Sequence, residues 1–191
     1  MSNPLIREKL GAKMIVRFNQ PEARSPLSID ILESLLDIVG EIEGQTDIDS
    51  LVFTGVAGVF ASGANLKEIA KVNDENDARE FSRRGQTLMG RIEGLRCMTV
   101  AAINGLCFGG ALDLALACRR RIASPDALFA HPGVDLGIIT GWGGTQRLPR
   151  LVGDAKAMEM FFTARRVDAR EALSIGLIDA IDEDPLELAL R

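Results

Sequence analysis

The stretch MTVAAINGLCFGGALDLALAC, residues 98–118, constrains this chain more than any other. Met98 to Ile103 is an apolar, partly β-branched run of the kind found in strands buried on both faces. Asn104-Gly105 breaks it, and Gly109-Gly110 opens a second apolar run, Ala111 to Cys118, built of strong helix formers. A strand, a glycine turn and a helix in that order leave backbone N–H groups unpaired at the helix start, where the helix dipole also favours negative charge. Asp113 falls in the first turn of that helix. An anion-stabilising backbone and a proton-carrying carboxylate so close together suit chemistry on a carbonyl compound that passes through an oxyanion.

The rest of the chain gives that stretch one domain to sit in. Its 191 residues suffice for a single core, and a hydrophobic content of 47% with 26% charged residues is ordinary for a globular protein. The net charge of −5 argues against a nucleic-acid groove or an anionic membrane surface as partner. Cys97, Cys107 and Cys118 have no metal-ligand spacing and leave an odd thiol, which reads as buried, reduced cysteines and no metal site. The opening MSNPLIREKLG has no apolar signal core, and no apolar run is long enough to cross a bilayer. The expectation is a cytoplasmic protein without a membrane partner.

Along the chain, Met14–Phe18 alternates as a half-buried strand, and Ser28 is placed to cap a helix from Ile29 to about Gly44. Ser50–Thr54 reads as a buried strand, followed by a small-residue loop, Gly55 to Asn65, and a helix from Leu66 to Val72. This repeats the strand, glycine loop and helix of the organising stretch. Ala78–Leu95 reads as a long helix, Arg121–Ala123 and Leu128–Ala130 as short extended segments, and His131–Thr145 as a glycine-punctuated loop. Ala155–Thr163 reads as a helix, Asp168 caps another over Ala169–Ser174 closed by Gly176, and Ile178–Ile181 is a last strand. Strands alternating with helices imply crossovers and a largely parallel α/β sheet. Periodicity alone does not choose between a doubly wound sheet and a coiled, spiral one.

Four segments, in order and at matching spacing, resemble the crotonase (enoyl-CoA hydratase/isomerase) superfamily. They are FASGANLKE (60–68), NGLCFGGALDL (104–114), GGTQRLP (143–149) and EALSIGLID (171–179). The resemblance covers nearly the whole chain. It implies a spiral of ββα units, assembly into homotrimers or hexamers, acyl-CoA thioester substrates, and no cofactor beyond the coenzyme A of the substrate. It also implies an oxyanion hole formed by the backbone N–H groups of Ala64 and Gly110, the second of which the residues themselves suggest. By the same resemblance, Ala64, Asn65, Leu66 and Lys67 line the coenzyme A path with Gly110, Arg24 lies near its nucleotide end, and Trp142 lies in the loop that shapes the acyl pocket.

The chain departs from the family pattern in three places. Hydratases of the family carry two glutamates; the first position is Asp113 here and the second is Gly133, which has no side chain. Asp135 is a candidate substitute, because an extended Gly133–Asp135 segment would turn both positions to the same side. His131, the single histidine, titrates near neutral pH when unperturbed and so is a second candidate, against the plainer reading of a structural histidine before a proline. Third, residues 186–191 form only a stub where many relatives continue into lid and trimerisation helices. The expectation is therefore one crotonase-like domain, 1–191, with a short C-terminal helical segment.

Two functions compete. One is an enzyme of fatty-acyl thioester metabolism, a lyase or isomerase, with Asp113 as main acid–base group. The other is a non-catalytic acyl-CoA-binding or assembly subunit. With one firm carboxylate, relocating a double bond needs fewer groups than adding water. A serine hydrolase centred on Ser62 lacks a motif-placed histidine and acid, and Gly141-Trp142-Gly143-Gly144 lacks the dinucleotide-binding fingerprint.

Overall fold

The computed structural model describes residues 3–191. Strands β1 (Leu5–Leu10) and β2 (Lys13–Phe18) form an antiparallel hairpin at the edge of the main sheet. After a 3₁₀ turn at Pro21–Ala23 come the short β3 (Pro26–Leu27) and α1 (Ile29–Glu43). The Ser28 side chain accepts from the Ile31 amide, as an N-cap serine does, and a single face of α1, including Ile31, Leu35, Ile38 and Ile42, is buried.

From there one step repeats. A strand of the main sheet, β4 (Ser50–Gly55), leads to β5 (Val59–Ala61) and β6 (Gly63–Ala64), then to helices α2 (Leu66–Ile69) and α3 (Glu75–Gly94). Strand β7 (Met98–Ile103) leads to β8 (Leu106–Phe108) and α4 (Gly110–Ala117). Strand β9 (Arg120–Ala123) leads to β10 (Leu128–Ala130), a 3₁₀ turn at Pro132–Leu136, and helices α5 (Gly144–Val152) and α6 (Asp154–Thr163). The chain closes with β11 (Val167–Asp168), α7 (Ala169–Ser174), β12 (Ala180–Ile181) and α8 (Pro185–Ala189).

Among the described residues, the first strand of each step joins a six-stranded sheet, ordered β1-β2-β4-β7-β9-β12 and parallel except for the β1–β2 hairpin. The second joins a smaller sheet ordered β11-β10-β8-β5, in which only β11 runs antiparallel. Two strands in two sheets and then a helix, repeated, is a spiral of ββα units, so the geometry settles what periodicity left open.

The main core lies between the large sheet and the helices and takes in Phe18, Leu51, Phe53, Phe60 and Ile103. Helix α4 runs through it with all eight of its residues buried, seven of them apolar or glycine and the eighth Asp113. Cys107 and Cys118 are buried free thiols, and Cys97 is a half-buried one.

Two expectations need correction. The organising stretch is not strand, turn, helix: the short strand β8 is inserted, and Gly109 ends it rather than a turn from β7. The glycine-punctuated loop is partly helical, with a 3₁₀ turn at its start and α5 beginning at Gly144. The short C-terminal helical segment expected from the sequence is α8, packed on the face of the sheet away from the main core.

Candidate active site

The site is built where the ends of β8 and β10 meet. The two strands pair in parallel, Phe108 opposite Ala130, and the Gly109 amide donates to the Ala130 carbonyl at 2.9 Å. The chain leaving β8 therefore enters α4 beside the chain leaving β10, which continues into His131. Gly109 has φ 52° and ψ −121°, a combination that glycine adopts at low cost, and it starts α4 without any side-chain cap. The Asp113 amide returns to the Gly109 carbonyl at 3.0 Å, which sets the carboxyl one turn into the helix.

A cavity of about 370 Å³ opens at this point. Ala64, Gly110, Asp113, His131 and Trp142 all line it, with apolar walls from α2, α3 and the 136–139 segment. The β6 and α4 walls touch: a Cβ added to Gly63 would lie 2.6 Å from the Phe108 carbonyl oxygen and 3.0 Å from the Gly110 nitrogen. No side chain fits between them, so the Ala64 and Gly110 backbones share one wall of the cavity. Trp142 is wedged behind it, against Gly110 on one side and Gly85 of α3 on the other, with the Phe81 ring 5.6 Å away. The Gln86 side chain on the Gly141 carbonyl (2.8 Å) and the Arg147–Glu93 ion pair (2.7 Å) clamp this loop to α3.

Asp113 is wholly buried. Its Oδ2 accepts from the Thr140 hydroxyl, while Oδ1 has no hydrogen-bond partner. Burial raises its pKa from 3.8 to about 7, against the opposing pull of the Thr140 hydroxyl, the Trp142 and Gly144 amides and the Arg147 charge. Its proton is thus exchangeable at neutral pH. His131 is 2% exposed, and neither ring nitrogen has a partner. Its Nε2 lies 3.8 Å from Asp113 Oδ1, the Phe161 ring packs 5.1 Å from its own, and burial pushes its pKa down from 6.5 to about 3. Gly144 makes the pairing possible, because a Cβ there would stand 2.1 Å from Asp113 Oδ1 and 3.1 Å from His131 Cε1.

The sequence of residues 10–188 matches the family model for enoyl-CoA hydratase/isomerase. The chain belongs to the enoyl-CoA hydratase/isomerase family. It is 40% identical over 187 residues to a short-chain-enoyl-CoA hydratase of Clostridium acetobutylicum, across 97% of this chain and 71% of that one. It is 36% identical over 178 residues to a crotonyl-CoA hydratase of Syntrophomonas wolfei, across 93% of this chain and 68% of that one. Among solved structures, the enoyl-CoA hydratase of Bacillus anthracis superposes with a TM-score of 0.90 at 34% identity, over 98% of this chain and 72% of that one. DspI of Pseudomonas aeruginosa superposes with a TM-score of 0.92 at 36% identity, over 99% of this chain and 80% of that one. These likenesses favour an enzyme of the enoyl-CoA hydratase/isomerase family over a non-catalytic subunit.

Of the residues singled out in the sequence, the fold gathers Ala64, Leu66, Gly110, Asp113, His131 and Trp142 around this cavity. Asn65 does not line it; its side chain is occupied in capping α2 by accepting from the Lys67 amide at 3.0 Å. Lys67 and Arg24 are exposed; the Arg24 carbonyl accepts from the amide of the cavity residue Ser62 at 2.9 Å, which ties it to the rim. Asp135 is the correction. Gly133–Asp135 is 3₁₀-helical rather than extended, so the two positions do not share a side, and Asp135 is exposed and does not line the cavity. A Cβ on Gly133 would meet the Ile138 carbonyl oxygen at 2.7 Å, so the backbone itself fills the space at that position. Thr140 and Gly144 were not anticipated; Thr140 lies in a loop without periodicity and Gly144 at the first position of α5, where no sequence signal marks a contact to a helix 27 residues away or more.

Proposed function

We propose that the chain moves protons at the α-carbon of an acyl-CoA thioester. The amides of Ala64 and Gly110 hold the thioester oxygen as it gains charge, and Asp113 is the group that gives and takes the proton. One observation carries this: a wholly buried carboxyl, titrating near neutrality, faces a cavity whose wall is the shared Ala64–Gly110 backbone. Amide donors of this kind are each worth a few kcal/mol to an oxyanion held away from water. Arg24 and Lys67, at or beside the rim, carry positive charge suited to the phosphates of coenzyme A, and Leu66 and Trp142 border the acyl group. The names of the relatives support a short-chain 2-enoyl thioester as substrate. Coenzyme A enters as part of that substrate, with no resident cofactor.

Among the described residues, no helix is long and apolar enough to cross a membrane. Free buried thiols support a cytoplasmic setting. Exposed apolar side chains at Leu136, Ile138, Ile139, Met158 and Phe162 support self-association into trimers or hexamers.

The test is exchange of the α-protons of butyryl-CoA in heavy water, followed by mass spectrometry. The expected result is deuterium uptake with the native chain and a loss of about 10²–10⁴-fold in Asp113→Asn. A folded native chain that binds butyryl-CoA without exchange would sink the reading and leave the binding-subunit alternative standing.

A further inference from the structure

His131 is buried with two unpartnered ring nitrogens, and it faces the cavity beside a carboxyl oxygen that is also unpartnered. An orphaned, buried donor–acceptor ring is costly to keep without a task or a ligand. The Nε2 to Oδ1 separation of 3.8 Å is too long for a direct hydrogen bond. It is short enough that one oxygen lying off the line between them sits about 2.8 Å from both. Position 133, meanwhile, has no side chain, and its backbone is packed under the Ile138 carbonyl.

Resting on the assignment of Asp113 above, we propose that His131 is the second proton carrier of the site, so that this chain adds water to 2-enoyl thioesters without a carboxylate at position 133. The imidazole accepts a proton from a water molecule as the water oxygen bonds to C3. The C2–C3 π pair shifts to give the enolate, whose oxygen rests on the Ala64 and Gly110 amides. Asp113, entering the cycle as the neutral acid, delivers its proton to C2 as the carbonyl re-forms. The product is the 3-hydroxyacyl thioester, with imidazolium beside carboxylate. Transfer of that proton from Nε2 to Oδ1 restores the starting state, so atoms and charge balance over the cycle.

The surroundings suit this starting state. Burial disfavours an imidazolium at rest, and burial likewise keeps Asp113 partly protonated at neutral pH. The other titratable groups around the pair are the Arg147 guanidinium, which draws the Asp113 pKa down, and the buried Cys107 thiol on β8, which burial holds well above its usual value and so uncharged.

The experiment follows two activities in the same preparations: hydration of crotonyl-CoA, by loss of the enoyl absorbance, and α-proton exchange of butyryl-CoA. The expected result for His131→Gln and His131→Asn is a fall of about 10²–10⁴-fold in kcat for hydration, with KM little changed and exchange falling at least about tenfold less than hydration. A merely structural histidine lowers both activities together, and that outcome overturns the proposal, as does hydration within a few-fold of native. A native chain that exchanges but does not hydrate overturns it while sparing the Asp113 assignment; a native chain that does neither overturns both. Because the chain has a single histidine, ¹⁵N NMR of the native protein reads the ring directly, even if the variants do not fold. The proposal expects a neutral ring at pH 7 whose resonances move when Asp113 ionises and when 3-hydroxybutyryl-CoA binds. A ring with an ordinary titration near 6.5 and no response to ligand overturns it.

Discussion

Asp113 and His131 have pKa shifts of opposite sense, so protonation couples each to folding in the opposite direction. For Asp113, between 3.8 and about 7 the folded chain keeps a proton that the unfolded chain has released, and stability falls as pH rises across that window. For His131, between about 3 and 6.5 the unfolded chain holds the extra proton, and stability falls as pH drops. Each slope is about 1.4 kcal/mol per pH unit, so from about pH 4 to 6.5 the two oppose each other and the native chain shows little net effect from this pair. Single variants unmask them. Relative to native, Asp113→Asn gains stability as pH rises from 4 to 7, by a total on the order of 4 kcal/mol. Relative to native, His131→Gln gains stability as pH falls from 6.5 toward 3. Urea unfolding at several pH values checks both, and the difference from native cancels the surface ion pairs common to all three chains. A pH-independent difference for either variant would contradict the burial assigned to that side chain.

The packing of α3 against α4 depends on one indole. A Cβ on Gly85 would stand 2.2 Å from the Trp142 ring and one on Gly110 2.3 Å from it, so both helices present glycine where the ring lies flat. Trp142→Ala is expected to cost about 3–5 kcal/mol through the cavity it leaves. Gly85→Ala is expected instead to push the ring toward the acyl pocket, raising KM for longer acyl chains more than for crotonyl-CoA. Tryptophan emission, from the only tryptophan in the chain, reports the displacement, and KM across a chain-length series reports the pocket. An unchanged chain-length profile would separate the wedge from substrate selection. These same elements mark what the sequence made legible. Strands β4 and β7 could be read because burial on both faces leaves a mostly apolar run, and α1 because its buried face recurs at helical spacing. The short strands β5, β6 and β8 are two or three residues long, too brief to carry a period, and their partners lie far off in sequence. Helix α5 begins after a left-handed Gly143 and contains Pro149, so its first two residues, Gly144 and Thr145, read as the end of a loop and the rest carries no helical signal. Asp113 and Gly110 could be found because they lie in one contiguous stretch. His131 was noticed as a lone histidine, but its place beside Asp113 is set by the β8–β10 pairing, which no local pattern encodes.

At the scale of the whole molecule, the large sheet has two faces to cover and only one of them meets the main core. Alternation along β4 sends Leu51 and Phe53 into that core and Val52 to the other side, where it meets Val100, Ala102 and Ile122. Those four side chains are at most 3% exposed, and what packs against them is Ala180 together with Leu186, Leu188, Ala189 and Leu190 at the end of the chain. Helix α8 is only five residues long, far below the length at which a helix holds in water by itself, so it exists because the sheet accepts its apolar side. Asp184 caps it by accepting from the Glu187 amide at 2.9 Å, and Pro185 occupies the first turn, where its missing N–H costs nothing. Ending the chain at Asp184 would leave the four sheet residues facing water. Each of the three half-buried leucines removed is worth about 1–2 kcal/mol, and about 2–4 °C of Tm per kcal/mol is usual at this size, which gives a drop of roughly 6–24 °C. The cavity lies on the opposite side of the sheet, so α-proton exchange per folded molecule is expected to stay at the native level. Thermal melting beside the exchange assay checks both halves. A truncated chain that melts with the native one would mean that α8 only rests on the sheet, whereas loss of exchange in a chain that still folds would mean that this helix reaches the site through the sheet.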